Sequence, residues 1–450
     1  VDFRSPKDAI DHGIGMVHQH FMLVPTQTVT ENILLGLDEP RFRLNLNRYH
    51  QVISELGVQY GLHVEPRAKI WQLSVGEQQR VEILKMLYRG ANVLIMDEPT
   101  AVLAPQEIDE LFRTLRSMVA EGKSIVFISH KLDEVTAIAD RITVLRKGAV
   151  SAADIETAST NKEELARQMV GREVLFRLKK GDQAVGETML SIENLEAIND
   201  KGLPALRGVS MHVASGEIVG LAGVAGNGQA ELAEAITGLR PVTAGCVRIH
   251  GQPVVGEDCD RPRDRNAVKR IIDIGVSHIP EDRTHVGSAP NLSVTDNVIM
   301  KSYREAPIAK GWSIDHTSAQ SHAETLRTEF EIMVPTVETP ARLLSGGNLQ
   351  RLILAREISS QPKIMIAMQP TRGLDVGAIE SVQRMLLEQR ESGAAILLVS
   401  EELDELITLS DRIYVIYEGE IMGETSEPDA RTIGLMMTGT RMQEIEGVTS

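Results

Sequence analysis

At 450 residues the chain is too long for one ordinary domain, so two or three domains with filled cores are expected. Hydrophobic residues at 42% and charged residues at 24% describe a globular chain, and a net charge of −16 argues against broad nucleic-acid binding. No apolar run approaches the roughly 20 residues that a membrane-spanning helix needs, no signal peptide is visible, and Cys246 and Cys259 form no CxxC pair, which fits a reducing cytoplasm.

In chain order, the first apolar run is "IGMVH" at 14–18, followed by Gln19 and the apolar "FMLVP". Thr28 to Glu31 reads as a capping box: hydroxyl and carboxylate each satisfy a helix-terminal N–H, so a helix opens there. "LSVGEQQR" at 73–80 leads into "GEQQRVEILKMLYRG", whose apolar spacing predicts a helix. "NVLIM" and "SIVFIS" read as fully buried parallel strands on either side of the amphipathic helix "PQEIDELFRTLRSMVAEG". Strand, crossover helix and strand in that order give an α/β fold with a parallel sheet. The polar, weakly patterned stretch "FRLKKGDQAVGET", 176–188, is the expected linker between domains at 1–175 and 189–450.

Beyond the linker the pattern is written again. "LSGGNLQR" at 344–351 answers "LSVGEQQR", with Ser345 displaced from Ser74 by 345 − 74 = 271. "IMIAMQPTRGL" answers "VLIMDEPTAVL", "SEELDE" answers "SHKLDE", and "SDRIYVI" answers "ADRITVL" at the same displacement. Upstream the spacing drifts: "IGVSH" at 274–278 answers "IGMVH", and Ser293 to Asp296 repeats the capping box. "GVAGNGQA" at 223–230 has the glycine spacing of a phosphate-binding loop, with Gln229 in the lysine position and Ala230 in that of the Mg²⁺-binding hydroxyl. Gly228 lies 275 − 228 = 47 residues before Gly275, so the first lobe's counterpart is expected ahead of Val1 and missing from this chain.

Carried by "LSVGE" and "LSGGN", "VLIMDEPT", "SHKLDE" and "VHQ" at 17–19, the chain resembles the ABC-transporter ATPase family over nearly its whole length. The resemblance implies two homologous P-loop ATPase domains in tandem, each a mainly parallel sheet with a helical subdomain, using ATP and Mg²⁺. It implies that Asp97 serves the metal and nucleotide, that Glu98 orients or deprotonates the attacking water, that His130 reads the terminal phosphate, and that Gln19 touches metal and water. Ser345, Gly346, Gly347 and Asn348 would offer a hydroxyl and backbone N–H groups to a phosphate at a helix N-terminus, though a plain Ser N-cap reads the same way.

The lobes differ where the chemistry lies. Met368, Gln369 and Glu401 stand in the second lobe where the first has Asp97, Glu98 and His130, and Ile279 falls near the place of Gln19. Val75 replaces a signature glycine in the first lobe, and Ala104 replaces the aspartate that the second keeps at Asp375. In the family the lobes face head to tail. The intact set, Asp97, Glu98, His130 and Gln19 with Ser345 to Asn348 and Asp375, then falls into one composite site. The damaged set falls into the other, whose Gly223, Gly226, Asn227, Gly228 and Gln229 still offer a nucleotide-binding loop. Tandem lobes with "GNGQ", "PEDR" and "PTRGLDVGA" resemble importers of simple sugars, and "VHQHFMLVPTQTVTENILLG" with "TAVLAPQE" resembles their nucleoside branch. The expected setting is peripheral, on the cytoplasmic face of the membrane. The expected partners are transmembrane permease subunits and, indirectly, an extracytoplasmic solute-binding protein, with no nucleic acid. A soluble tandem ATPase acting on ribosomes and a non-hydrolysing remnant are the alternatives; the first would need two intact sites and a long basic connecting helix.

Overall fold

The computed structural model describes residues 2–19, 21–37, 45–100, 103, 105–146, 148–171, 180–181, 183–224, 226–256, 267–427 and 429–449. Ala104, Cys259 and residues 176–179 and 182 of the expected linker lie outside these. The chain divides into two compact units, Val1–Val174 and Leu175–Ser450.

In the first unit β1 (Ile14–Val17), β2 (Val93–Asp97) and β3 (Ser124–Ile128) form a parallel sheet in that order. The crossovers are helical, as parallel pairing requires: Val29–Leu34, Leu46–Tyr60 and Val75–Tyr88 precede β2, and Pro105–Ala120 precedes β3. The Thr28 capping box forms, with Thr28 Oγ1 accepting from Glu31 N and Glu31 accepting from Thr28 N at 2.7 Å. It turns Val29 and Ile33 into a core shared with Leu84, Leu94 and Met96. An antiparallel hairpin, β4 (Arg141–Arg146) and β5 (Ala149–Glu156), follows.

The second unit carries an antiparallel sheet ordered β10-β9-β6-β7, from β6 (Thr188–Ile198), β7 (Pro204–Ala214), β9 (Ala244–Ile249) and β10 (Gln252–Gly256). Its main sheet is ordered β11-β14-β15-β8-β16-β17. The members are β8 (Ile218–Ala222), β11 (Val276–Ile279), β14 (Ile364–Met368), β15 (Ala395–Ser400), β16 (Arg412–Tyr417) and β17 (Glu420–Thr425). All neighbours there are parallel except β16 and β17. A small hairpin, β12 (Ala309–Lys310) with β13 (Ser313–Ile314), stands apart. Alternate residues of the main sheet feed two cores, one holding Ile396, Leu398 and Ile413, the other Leu397, Val399 and Tyr414. The described part of the expected linker is tied to this unit: Lys180 Nζ donates to Ser410 O at 2.7 Å, and Gly181 O accepts from Arg390.

One expectation needs correction. The strands of "NVLIM" and "SIVFIS" are parallel, but they are not fully buried: Val126 and Ile128 on β3 are 50% and 45% exposed. In the second unit β8 covers the corresponding edge of β15, and every β15 residue is buried. Among the described residues no strand pairs with the far edge of β3. One face of β3, carrying Val126 and Ile128, is therefore open, while Ile125 and Phe127 on the other pack against the core.

Glu357 is fully buried and accepts from Lys301 Nζ, from Arg356 Nε at 2.9 Å and from His278 N at 3.1 Å. Burial pushes its carboxyl up, but Lys301 and Arg356 outweigh that and hold it below the usual range. Removing one charge from such a cluster strands the others. Glu357→Gln is therefore expected to destabilise the second unit by about 3 kcal/mol, read as a lowered thermal or urea midpoint; an unchanged midpoint would contradict this.

Candidate functional site

β2 ends at Asp97, and the chain then turns through Glu98 at φ 44°, the left-handed region that non-glycine residues seldom enter. Such a residue costs about 1–3 kcal/mol and persists only where its surroundings fix it. Here Glu98 N donates to Ile128 O of β3 at 2.9 Å, so the neighbouring strand holds the turn. The carboxylate is caught from both sides: Gln19 Nε2 donates to Oε2 at 2.6 Å, and His130 Nδ1 lies 2.8 Å from Oε1. Gln19 follows β1 and His130 follows β3, so three segments at the C-terminal ends of three parallel strands meet at one carboxylate.

An ionised Glu98 fixes His130 with its proton on Nδ1, which leaves Nε2 of a neutral ring as an acceptor. Only the imidazolium donates from both nitrogens. Asp97 is half-buried, and its carboxylate has no hydrogen-bond partner among the described residues. A Mg²⁺ ion asks for one or two protein oxygens, with substrate phosphates and waters completing the shell. The free Asp97 carboxylate and the Gln19 amide oxygen, whose Nε2 is spent on Glu98, fit that donor set. Among the described residues no group of three or more His, Cys, Asp or Glu side chains is placed to hold an ion without such help.

The second unit reproduces the backbone without the chemistry. β14 ends at the buried Met368, Gln369 turns at φ 45°, and Gln369 N donates to Val399 O at 2.8 Å. Gln369 Oε1 accepts from Glu401 N at 3.3 Å, so the amide ties the same two segments together but takes no proton. The glycine loop joins β8 to the helix Gln229–Ile236, with Gly226 and Gly228 at φ 86° and 107°. A Cβ on Gly228 would lie 2.6 Å from Ala205 O, so only glycine fits. Asn227 pins the loop by accepting from Glu418 N at 2.8 Å and donating to Val224 O at 3.0 Å.

Gln229, 7% exposed, folds its amide back onto Val224 O at 3.1 Å, and its Oε1 is buried without a partner. A lysine here would extend a charge towards a phosphate; this side chain fills the loop instead. Ser345 caps the helix Gly346–Ser359, accepting from Asn348 Nδ2 at 3.0 Å, while Asn348 Oδ1 accepts from Met333 N at 2.8 Å. Gly346 and Gly347 open that helix, and Asp375 caps the helix Val376–Glu391 by accepting from Ala378 N at 2.8 Å. In the first unit Ser74 closes a full capping box with Glu77, and Val75 is exposed.

Two residues that sequence reasoning passed over belong to this geometry. Glu134 and Glu405 are buried, and each takes a hydrogen bond from the threonine two residues after Glu98 or Gln369. The signal was present in the repeated "LDE" and "PT", which marked the repeat without suggesting a contact.

Known proteins resemble the chain throughout. A family described as ABC transporter matches residues 2–101 and 206–372. The glucose import ATP-binding protein of Haloferax volcanii is 47% identical over 97% of this chain and 83% of its own length. The nucleoside import ATP-binding protein of Lactococcus lactis subsp. cremoris is 45% identical over 98% of this chain and 86% of its own. The guanosine import ATP-binding protein of Bacillus subtilis is 44% identical over 99% and 86%.

Burial raises the Glu405 carboxyl from its ordinary 4.5 to about 7, against the nearby Ser400 and Thr371 hydroxyls, which lower it. A raised folded value means stability that is complete below about 4.5 and lost as pH rises through about 7. Between pH 5 and 8, wild type is expected to lose up to about 3 kcal/mol relative to Glu405→Gln. Paired thermal melts check this, and a gap that does not move with pH would refute it.

Proposed function

Since the chain belongs to the ABC transporter family, we propose that it is the ATP-hydrolysing subunit of an importer of a nucleoside or simple sugar. The observation that carries the reading is Glu98, with both carboxylate oxygens engaged by Gln19 and His130, set against Gln369 on the same backbone turn. One site is then competent and the other degenerate.

In the competent site Glu98 accepts a hydrogen bond, and then the proton, from the water that attacks the terminal phosphate. Gln19 and His130 hold the carboxylate in place, which removes the entropy of orienting it. His130 meets Glu98 through Nδ1, which leaves Nε2 as the ring nitrogen available to the terminal phosphate. Asp97 and Gln19 would hold Mg²⁺, which when bound neutralises phosphate charge. Ser345 to Asn348 and Asp375 of the second unit, at the starts of two helices, would offer a hydroxyl, backbone N–H groups and a carboxylate to nucleotide, as the family resemblance implies.

The loop bearing Gly223, Gly226, Asn227, Gly228 and Gln229 serves the degenerate site. A phosphate bound there has its backbone N–H groups but no lysine, a loss of roughly 1.5–3 kcal/mol. Among the described residues no helix is long and apolar enough to cross a membrane. On the importer reading, the solute path belongs to separate permease subunits that this subunit serves from the cytoplasmic face, with a solute-binding protein acting on the far side. The stretch around Gln19 and the "APQE" segment favour nucleosides as the solute.

Changing Glu98→Gln is expected to lower ATP turnover by roughly 100-fold or more, whereas Gln369→Ala leaves it nearly unchanged. Steady-state phosphate release from the protein assembled with its permease measures both. Equal losses from the two variants would overturn the division into a working and a silent site.

A further inference from the structure

Glu134 takes no part in the chemistry described so far, yet it lies under it. The residue is 7% exposed, and its Oε2 accepts from Thr100 Oγ1 at 2.5 Å and from Ser129 Oγ at 3.1 Å. Ser129 Oγ in turn accepts from Lys131 N at 3.0 Å. Thr100 stands two residues after Glu98, and Ser129 immediately before His130. One buried carboxylate thus spans the two turns that present the pair.

The second unit repeats the residues and the threonine bond. Glu405 Oε1 accepts from Thr371 Oγ1 at 2.7 Å and Ser400 Oγ accepts from Glu402 N at 3.1 Å, while Glu405 Oε2 is buried without a partner. The displacement is common to all three members: 371 − 100, 400 − 129 and 405 − 134 each equal 271. Both sets sit beneath a left-handed residue, Glu98 or Gln369, whose N–H reaches the carbonyl of the adjacent strand. The second unit has no carboxylate at 368 or 369 and no histidine at 401, yet it has the same three residues and keeps the threonine–glutamate bond. What the trio supplies is therefore geometry rather than acid–base chemistry. Burying a carboxylate is costly unless donors repay it, so a residue kept only to fill space would be cheaper as an apolar one.

We infer that Glu134 is a positioning residue for hydrolysis: it clamps the Thr100 and Ser129 turns together and so keeps Glu98 and His130 within hydrogen-bonding distance. The inference rests on the ATPase reading for its effect on rate, but its geometric half stands alone. Loss of the clamp lets the turns part, and a displacement near 1 Å at a reacting group costs about 100-fold in rate. Nucleotide binding uses other atoms and should survive.

The test uses the protein assembled with its permease, with MgATP as the probe. Glu134→Ala is expected to lower kcat by about 10- to 100-fold with KM within roughly twofold. Glu134→Gln retains one acceptor oxygen and should recover most of the rate. Should the alanine variant fold poorly, Thr100→Val removes one donor at nearly constant volume and should show the same selective fall in kcat, which Thr100→Ser should not. Imidazole ¹⁵N signals of His130 report its bond to Glu98 without turnover, and they should shift in Glu134→Ala and Thr100→Val but not in the conservative variants. Wild-type kcat and an unshifted His130 signal in Glu134→Ala would overturn the clamp. So would parallel losses of kcat, nucleotide affinity and melting temperature that Glu134→Gln fails to rescue. A wild type that does not hydrolyse MgATP would count against the ATPase reading, and the His130 signal alone would then decide the clamp.

Discussion

The bond on which this architecture turns is a single backbone N–H reaching sideways from a strand end to its parallel neighbour. Glu98 N donates to Ile128 O, and Gln369 N to Val399 O, at 2.9 and 2.8 Å. Parallel strands need long crossovers, so their C-terminal ends bring together residues far apart in sequence. That bond forces the residue after the strand into left-handed backbone, and the side chain is thereby aimed across the strand ends. Gln19 and His130 reach Glu98 only because the turn presents it to them. A cost of about 1–3 kcal/mol in strain is offset by the buried bonds around it, among them Gln79 Nε2 to Pro99 O at 2.6 Å.

Given one backbone, the two units differ by what hangs from it. In the first, a carboxylate accepts from an amide and an imidazole. In the second, an amide accepts from a backbone N–H, and a buried methionine ends the strand where Asp97 stands in the other. The supporting polar groups drift as well: Gln350, the counterpart of Gln79, has its amide buried with neither end partnered. The turn is held nonetheless, which separates the requirements of folding from those of catalysis.

Much of this was legible in the sequence, for identifiable reasons. The repeat at 271 residues located the strands and helices of both units, because buried runs and amphipathic runs differ in period. Both capping boxes form where Thr28 and Ser293 predict them, since the motif is local and carries its own hydrogen bonds. The convergence of Gln19, Glu98 and His130 was reached through the family resemblance and not through spacing. Burial of β3 was misjudged because a strand's composition does not say whether a neighbour covers its edge. Nor does composition announce a left-handed glutamate, a conformation that sequence rules reserve for Gly, Asn and Asp. Gln229 reads as a lost lysine, but that its amide turns inward to Val224 O depends on the loop's own closure.

The persistence of strain in the second unit, where no carboxylate needs aiming, follows from what comes next in the chain. After Gln369 come Pro370 and Thr371, then a turn through Gly373 at φ 63° to Asp375, which caps the helix Val376–Glu391. Relaxing Gln369 would swing this segment, and the helix start would move with it. That helix buries Ala378, Val382 and Leu386 in the core beneath the main sheet, so a shift would open cavities there. Large-to-small cavities in cores typically cost about 2–5 kcal/mol, at least as much as the strain itself. The turn is thus held by packing downstream of it. A unit with neither carboxylate nor histidine at these positions thus keeps the same backbone turn, because the helix that follows requires it.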